Sequence, residues 1–316
     1  MQRIATPIAI FALLIGGNFA LAVEPLPSMD ELQKQLDAKD YPAVLSGANR
    51  ILLLRGPATA SYHRTAVWMM KAEALLHSNQ FGAAGQAFAS AAEEKDATDE
   101  ERNLCLATGT LLKHSERKGY TPKATRDNPS PQTYDILDPQ KRKDAIGALF
   151  AVELSDAAPK IDKLKDSTAP NPLISAARAL AELRPMEKVV DKNTDKLDTL
   201  EKTLGDNFAK KMADWQSTNS KRLDELATLA QQTTVSRYTD NKGIMHTSTS
   251  LRGLQPQEQS EIRDMEKQAQ TYAQTEQQLA AAMGEVGRAA IDPSQKTIQS
   301  LYDQAQTTRR NAMIQR

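Results

Sequence analysis

Apolar residues recur at steps of three and four positions through most of the chain beyond residue 187. This is the spacing of one face of an α-helix, and a stripe that persists for many turns predicts long helices packed as in a coiled coil. The simplest way to bury three such stripes is to fold the helices back as an antiparallel bundle or hairpin. The three runs are Leu197, Leu200, Leu204, Phe208, Met212, Trp215, Leu223, Leu226 and Ala230; Ile262, Met265, Ala269, Tyr272, Glu276, Leu279, Met283, Val286 and Ala290; and Ile298, Leu301, Ala305, Thr308 and Ala312.

The chain before residue 187 contains shorter helical segments separated by turn residues. Two pairs of segments stand out, at about 29–38 with 43–54 and 61–77 with 81–94. Aromatic residues make up only 5% of the chain, which is too few for a β-sandwich or barrel. The sequence therefore predicts an all-α fold, with an N-terminal solenoid of helix pairs followed by long antiparallel helices.

The second helix pair carries a specific pattern of large and small residues. Its first helix has a tryptophan, a small residue and a large apolar residue at fixed steps, and its second helix alternates aromatic residues with alanines. These residues are Trp68, Ala72 and Leu75, then Phe81, Ala84, Phe88 and Ala91. The pattern resembles the tetratricopeptide (TPR) repeat, in which small residues let two helices approach and aromatic residues fill the gaps between layers. A generic alanine-rich helical hairpin is the alternative.

The first helix pair matches the same pattern more weakly. Its matching positions are Tyr41, Val44, Ala48 and Ile51, and the step from Tyr41 to Phe81 is 40 residues, longer than is usual in the family. The resemblance implies a groove on the first helix of each pair that binds an extended or helical segment of another protein. The groove positions of the family fall on Met69, Glu73, Leu76 and His77.

The amino terminus has the features of an export signal. Arg3 precedes an apolar run at 8–15, and Ala20-Leu21-Ala22 ends the segment with small residues at the spacing of a cleavage site. No later segment is apolar enough to cross a bilayer. We expect residues 1–22 to be removed and the protein to be exported to the periplasm or the extracellular space, with an uncleaved anchor as the alternative.

Changes in composition and in the spacing of apolar residues along the chain predict three parts. These are the signal peptide at 1–22, a TPR-like repeat domain at 23–185 and a long-helix, coiled-coil-like bundle at 186–316. A loop at about 114–138 has little periodicity. A second interruption at 233–257 is a connecting loop or a β-hairpin.

The second interruption contains its own turn signal. Asp240-Asn241-Lys242-Gly243 lies between two segments rich in Thr and Ser, which is typical of a hairpin turn. A hairpin at the tip of long helices is well placed for contact with a partner, although a simple connection explains the same residues.

The sequence contains no recognisable arrangement of catalytic residues. Its four histidines have no metal-ligand spacing, and it has no nucleophile elbow, phosphate-binding glycine loop or dinucleotide fingerprint. We therefore predict no catalytic residue, metal or cofactor, and a protein that is not an enzyme. The one cysteine, Cys105, lies on an apolar helical face and is expected to be a buried, inert thiol.

Charge and architecture leave two hypotheses for the function. Lys and Arg total 40 against 40 Asp and Glu, so no excess of cations favours nucleic acid as a partner. The first hypothesis is an exported scaffold or adaptor that binds proteins or peptides in the cell envelope. The second is a structural coiled-coil protein that self-associates through residues 187–316.

The export signal yields the first testable prediction. Protein isolated from its native host should begin at Val23, because a signal peptidase cleaves after the small-x-small motif that ends at Ala22. Intact-mass spectrometry reads the amino terminus directly. A mature chain that retains Met1 contradicts the prediction.

Overall fold

The computed structural model describes residues 25–115, 118–124, 129–165, 167, 169–190 and 195–314. These residues form ten α-helices, one 3₁₀-helix and two short antiparallel β-pairs, so the predicted all-α class is confirmed. The predicted signal segment 1–22 lies outside the described residues. The helices are α1 (Met29–Asp37), α2 (Tyr41–Leu52), the 3₁₀-helix (Gly56–Ser61), α3 (Arg64–His77), α4 (Phe81–Glu93), α5 (Asp99–His114), α6 (Pro139–Lys163), α7 (Pro170–Val190), α8 (Asp195–Gln231), α9 (Pro256–Ala282) and α10 (Glu285–Ile314). The strands are β1 (Gly119–Tyr120) paired with β2 (Tyr134–Asp135), and β3 (Thr233–Thr239) paired with β4 (Met245–Leu251).

The first two helix pairs are joined by turns of the same conformation. Lys39 between α1 and α2, and Asn79 between α3 and α4, both have a φ of 61° in the left-handed region. In each turn the following residue donates its N–H to the carbonyl five positions earlier, at 2.9 Å. These bonds satisfy carbonyls that the end of a helix leaves without a partner. The same helix–turn–helix unit therefore occurs twice, 40 residues apart.

The residues predicted to pack α3 against α4 lie at the contact between the two helices. The alanines are fully buried, which lets the helix backbones approach closely. Ala72, Ala84 and Ala91 are fully buried, Leu75 and Phe88 nearly so, and Trp68 and Phe81 are partly buried against the same core. The indole of Trp68 donates to the Glu94 carboxylate at 2.9 Å, so its polar edge is also satisfied.

A carboxylate fixes the open end of this helix pair. Asp96, just beyond α4, accepts the backbone N–H of Arg64 at 2.6 Å and the hydroxyl of Thr65 at 2.6 Å. These donors lie in the first turn of α3, where backbone N–H groups lack partners. Burial acts to raise the pKa of Asp96, but the hydrogen bonds from Thr65 and Arg64 outweigh it and hold the pKa below its ordinary value.

The described part of the predicted 114–138 loop is attached to the core. Gly119 and Tyr120 pair with Asp135 and Tyr134 in the first β-pair. Tyr120 and Ile136 are buried, and both belong to the main apolar core. The segment thus contributes side chains to the interior instead of forming a free surface loop.

Two prolines lie inside helices. Pro159 is within α6 and Pro185 is within α7. A proline inside a helix removes one backbone hydrogen bond and strains the preceding turn. Both helices nevertheless continue, because buried residues on either side, such as Ala157 and Ile161 around Pro159, tie the two halves to the same core. Tertiary packing here outweighs local preference.

Helix α9 returns antiparallel to α8 across the connecting hairpin. Trp215 donates to Gln268 at 3.2 Å, and Arg222 forms two hydrogen bonds with Glu261 at 2.7 and 3.0 Å. Residue numbers rise along α8 while they fall along α9 in these contacts, which gives the antiparallel direction. The first apolar run, Leu197 to Ala230, thus lies within the single helix α8.

Helix α10 closes the bundle beside α8. The hydroxyl of Ser220 donates to Gln304 at 2.8 Å. A Cβ built on Gly205 would lie 2.7 Å from the Cβ of Ala290, so the two backbones approach too closely there for any larger residue. Residue numbers rise along both helices in these contacts. Helices α8, α9 and α10 therefore run up, down and up, so that α8 and α10 are parallel to each other.

The N-terminal helices and the bundle share one apolar core. A continuous cluster of buried residues includes Leu76 on α3, Leu183 on α7, Leu204 on α8 and Ile298 on α10. Helix α7 runs without interruption across residues 185 and 186, where the sequence predicts a domain boundary. Helix α7 thus contributes to both parts of the structure.

An ion cluster joins α7 to the bundle. The guanidinium of Arg184 on α7 contacts Asp198 at 2.6 Å and Glu201 at 2.8 Å, both on α8. The Glu201 side chain is 0% exposed, and it also accepts the backbone N–H of Gly284, between α9 and α10, at 2.9 Å. Burial acts to lower the pKa of Arg184, but its hydrogen bonds with Glu201 and Asp198 raise it overall. Arg184 is therefore a permanent cation.

The position of Gly284 leaves no space for a side chain. A Cβ on Gly284 would lie 2.8 Å from the Arg184 guanidinium and 2.9 Å from the Glu201 carboxylate. Any other residue would therefore push apart the groups that neutralise each other. The ion cluster fixes three elements at one point: α7, α8 and the turn between α9 and α10.

We expect the substitution Glu201→Ala to lower the free energy of unfolding by about 1–3 kcal/mol, because it removes one carboxylate partner of Arg184, which keeps Asp198, and leaves the Gly284 N–H without its acceptor. Urea denaturation measures this change. Asp206→Ala on the same helix is the matched control, since Asp206 is 53% exposed and, within the described part of the chain, forms its ion pair with Lys202 one turn away. That control should cost less than about 0.5 kcal/mol. Equal losses in the two variants contradict the role given to the cluster.

Candidate functional site

Two of the four predicted groove residues are occupied by contacts within the chain. Leu76 is fully buried in the main core. Glu73 accepts hydrogen bonds from both terminal nitrogens of Arg142, one of them at 2.9 Å. The Arg142 side chain is almost completely buried, and its Nε also donates to the Ile136 carbonyl at 2.7 Å. These contacts engage both residues within the chain, and α6 supplies the Arg142 side chain that pairs with Glu73.

The other two predicted groove residues are only partly accessible. Met69 packs against the main core as a partly buried side chain. The imidazole of His77 stacks on the Tyr41 ring, with centroids 5.1 Å apart and an angle of 4° between the planes. His77 thus joins the second helix pair to the first. The four residues do not form a continuous surface for a partner.

An apolar cavity opens instead between α4, α5 and α7. Its volume is about 550 Å³, within the range of roughly 300–1,000 Å³ typical of ligand pockets. Aliphatic and aromatic carbon dominates its walls, to which each of the three helices contributes. Among the lining residues are Phe81, Gly82, Gly85, Leu106, Gly109 and Pro185.

Glycines create this space. A Cβ built on Gly82 would meet no atom within 4 Å, and one built on Gly109 would lie 3.7 Å from the Gly85 carbonyl oxygen. Side chains are therefore missing at positions where the fold has room for them. Leu106 on α5 remains more than one-third exposed at the cavity. Helix propensity disfavours glycine at such positions, so the open volume comes with a local cost in stability.

Three of the polar side chains at the cavity, Lys113, Glu182 and Thr110, have partners within the chain. Lys113 on α5 and Glu182 on α7 form an ion pair at 3.2 Å, and both are more than half exposed. The Thr110 hydroxyl donates to the Leu106 carbonyl at 3.1 Å. The cavity thus offers an apolar interior beside the Lys113–Glu182 ion pair.

Cys105 lines the cavity, yet it is fully buried. Burial raises the pKa of its thiol to about 12, and the negative charges of Glu101 and Glu73 add to the effect. A nucleophilic cysteine needs the opposite environment, one that stabilises the thiolate. The structure confirms that Cys105 is buried, and its raised pKa agrees with the predicted inert thiol.

The predicted hairpin at 233–257 is present and forms a second exposed surface. Every residue of β3 is exposed, as is every residue of β4 except the half-buried His246. Asp240 organises the turn: its carboxylate accepts the backbone N–H groups of Lys242 and Ile244, each at 2.9 Å. The same carboxylate lies 2.9 Å from Nε2 of the His246 ring, within hydrogen-bonding distance. The hairpin is therefore locally well defined even though little covers it.

Two further findings concern the parts of the chain that the structure describes. No group of three or more His, Cys, Asp or Glu side chains in these parts is arranged to hold a metal ion. Each described helix is either too short or too polar to serve as a membrane span.

The cavity was not predicted from the sequence, although a signal for it exists. Gly82, Gly85 and Ala89 lie three and four residues apart on one face of α4, and Gly109 lies on α5. Such a row of small residues on an exposed face has no packing purpose within a single helix pair. The row lines a cavity only because α7, which is distant in the sequence, packs beside α4 and α5.

We expect stability to fall as the pH rises above about 9, because two buried groups keep protons that the unfolded chain loses. Burial raises the pKa values of Cys105 and Tyr120, each to about 12. Their stabilising contribution is complete below the ordinary pKa values and is lost as the pH rises towards 12. Urea denaturation at about pH 8 and about pH 10.5 should show that wild type loses on the order of 2 kcal/mol more than the double variant Cys105→Ala, Tyr120→Phe. The same loss in both proteins contradicts this explanation.

The chain matches no protein-family model, no curated protein and no solved structure.

Proposed function

We propose that this protein is an exported, non-catalytic adaptor of the cell envelope with a TPR-like N-terminal part, and that it binds a segment of another protein in the cavity between α4, α5 and α7. The observation that carries the proposal is the glycine-lined apolar cavity itself. An open apolar volume of this size on a folded surface is costly unless something covers it.

The walls favour a helical segment with apolar anchors as the occupant. Three helices surround the cavity, and an amphipathic helix places side chains from successive turns along one line, at i, i+3, i+4 and i+7. Such side chains can enter beside Leu106 and over Gly82 and Gly85. The Lys113–Glu182 pair at the edge offers both signs of charge to polar residues of the same segment. An apolar small molecule would use the interior but not this pair.

Self-association through the long helices receives less support. The stripes that would form an intermolecular coiled coil are buried within the chain's own bundle. Leu197, Leu204, Leu223, Leu226, Ile262, Leu279 and Leu301 are all fully buried. A second copy could reach them only if the bundle opened.

The proposal is tested by filling the cavity. Gly82→Leu adds a side chain where a Cβ meets no neighbour, so the fold should remain intact and the free energy of unfolding should change by less than about 1 kcal/mol. Peptides selected from a random display library on the chain without residues 1–22 supply a defined ligand. Calorimetry should show at least about tenfold weaker binding of the best peptide to Gly82→Leu, since an excluded anchor costs about 1–2 kcal/mol or more.

Ala83→Leu is the matched control, because Ala83 is the next residue on α4, is exposed and does not line the cavity. It should bind the peptide with unchanged affinity. Two results contradict the proposal: selection that yields no cavity-dependent peptide, and equal affinity of Gly82→Leu and wild type. Binding of an apolar small molecule in place of any peptide also contradicts it.

A further inference from the structure

The β3–β4 hairpin has the composition of a surface that is covered in the working protein. An isolated two-stranded hairpin is marginally stable in water, and three or more strands are normally needed. This hairpin also exposes large apolar side chains. Val235 and Tyr238 are 58% exposed, Ile244 is 54%, Met245 is 69% and Leu251 is 41% exposed.

The backbone of β4 presents a row of unpaired hydrogen-bonding groups. Asp240 pairs with Ile244 at the turn, and Arg252 donates to the Gln232 carbonyl at the other end, at 2.9 and 2.7 Å. Bonded and non-bonded pairs alternate along an antiparallel ladder. Between these two ends, the backbone N–H and C=O groups of every second residue of β4 therefore face away from β3. These residues are Met245, Thr247, Thr249 and Leu251.

The sequence of β4 is nearly symmetric about Ser248. It reads Met-His-Thr-Ser-Thr-Ser-Leu from Met245 to Leu251. If two copies of this strand run antiparallel with Ser248 opposite Ser248, Thr247 of each lies opposite Thr249 of the other, and Met245 lies opposite Leu251. These are the four residues whose backbone groups face outward. Threonine–threonine and apolar–apolar pairs are both favourable across strands.

We propose that β4 pairs antiparallel with β4 of a second copy of this chain, about a twofold axis at Ser248, so that the two hairpins form one sheet. The pairing is isologous, as in most homodimers, because each copy contributes the same surface. It gives every outward N–H and C=O of β4 a partner. It also places the exposed Met245 of each copy against Leu251 of the other. The inference concerns the hairpin alone and does not depend on the cavity between α4, α5 and α7.

The other edge of the hairpin is less suited to the same pairing. The equivalent axis on β3 lies at Ser236, and it places Arg237 of each copy opposite Val235 of the other. The two arginines then lie diagonally on one face of the sheet, within reach of each other, and repel. In β4 no residue carries a permanent charge, and none is a lysine or proline of the kind that blocks edge pairing. The charges therefore favour β4 as the paired edge.

Cysteine crosslinking tests the position of the axis. At Ser248 the two chains form a non-bonded pair with a Cα–Cα distance of about 4.5 Å, which a disulfide can span. Ser248→Cys should therefore give a covalent dimer under mild oxidation. Ser236→Cys is the matched control, because Ser236 is the β3 neighbour of Ser248 in the hairpin. It should stay largely monomeric. The native Cys105 is buried and supplies no competing thiol.

Charge reversal tests the pairing without a crosslink. On the chain without residues 1–22, the double change Thr247→Lys, Thr249→Lys should raise the dimer dissociation constant at least about tenfold by sedimentation velocity, because lysines then face lysines. The double change Thr247→Glu, Thr249→Glu should do the same. An equimolar mixture of the two variants should restore the dimer. Thr233→Lys, Thr239→Lys on the outer edge of β3 should leave the dissociation constant unchanged.

Three outcomes overturn the proposal. One is a wild-type chain that remains monomeric at about 100 μM, a concentration at which even an interaction of modest affinity is populated. Another is a dimer that the β4 lysine variant leaves intact, which would place the contact on another surface. The third is a Ser236→Cys variant that crosslinks as fast as Ser248→Cys. Circular-dichroism melts of all variants verify that each one is folded.

Discussion

The architecture depends on the neutralisation of one buried charge. The Glu201 carboxylate has no access to solvent, so it must be paired with a cation and hydrogen-bonded on its remaining lone pairs. Arg184 supplies the cation from α7, and the Gly284 N–H supplies a donor from the turn between α9 and α10. None of these groups can move far without leaving a charge unpaired. The helix pairs and the long-helix bundle are consequently held in one fixed arrangement.

The sequence predicts those parts of the structure that local chemistry decides. Helical stripes, the close contact at Ala72 and Ala84, and the turn at Asp240 all follow from residues near one another in the chain. The sequence could not show that Glu73, one of the predicted groove residues, meets Arg142, which lies 69 residues away. The sequence likewise does not show that α7 continues through Pro185, since packing across the core maintains the helix. The cavity depends on three helices at once, and the row of small residues on α4 does not show by itself that α7 leaves a cavity beside it.

The two candidate surfaces belong to different elements and differ in chemistry. The cavity offers apolar carbon between helices, where affinity comes from side chains that fill space. Strand β4 offers backbone donors and acceptors, where affinity comes from a hydrogen-bonded ladder. Since they share no residue, binding a partner at the cavity leaves the strand edge available. A dimer built through β4 would thus present two cavities and bind a bivalent partner with an effective concentration set by their separation.

Helix α7 lines the cavity with Ala181 and Pro185, while Arg184, between them in sequence, is held by the ion cluster. One wall of the cavity is therefore clamped to the bundle by charges that cannot be separated cheaply. Binding to such a wall requires little ordering of the receptor, so the entropic cost of association falls mainly on the incoming segment. If the cavity binds a segment as proposed, selectivity follows from the rigidity of this wall: a ligand whose side chains do not match its shape would be rejected, because the wall cannot adapt to it.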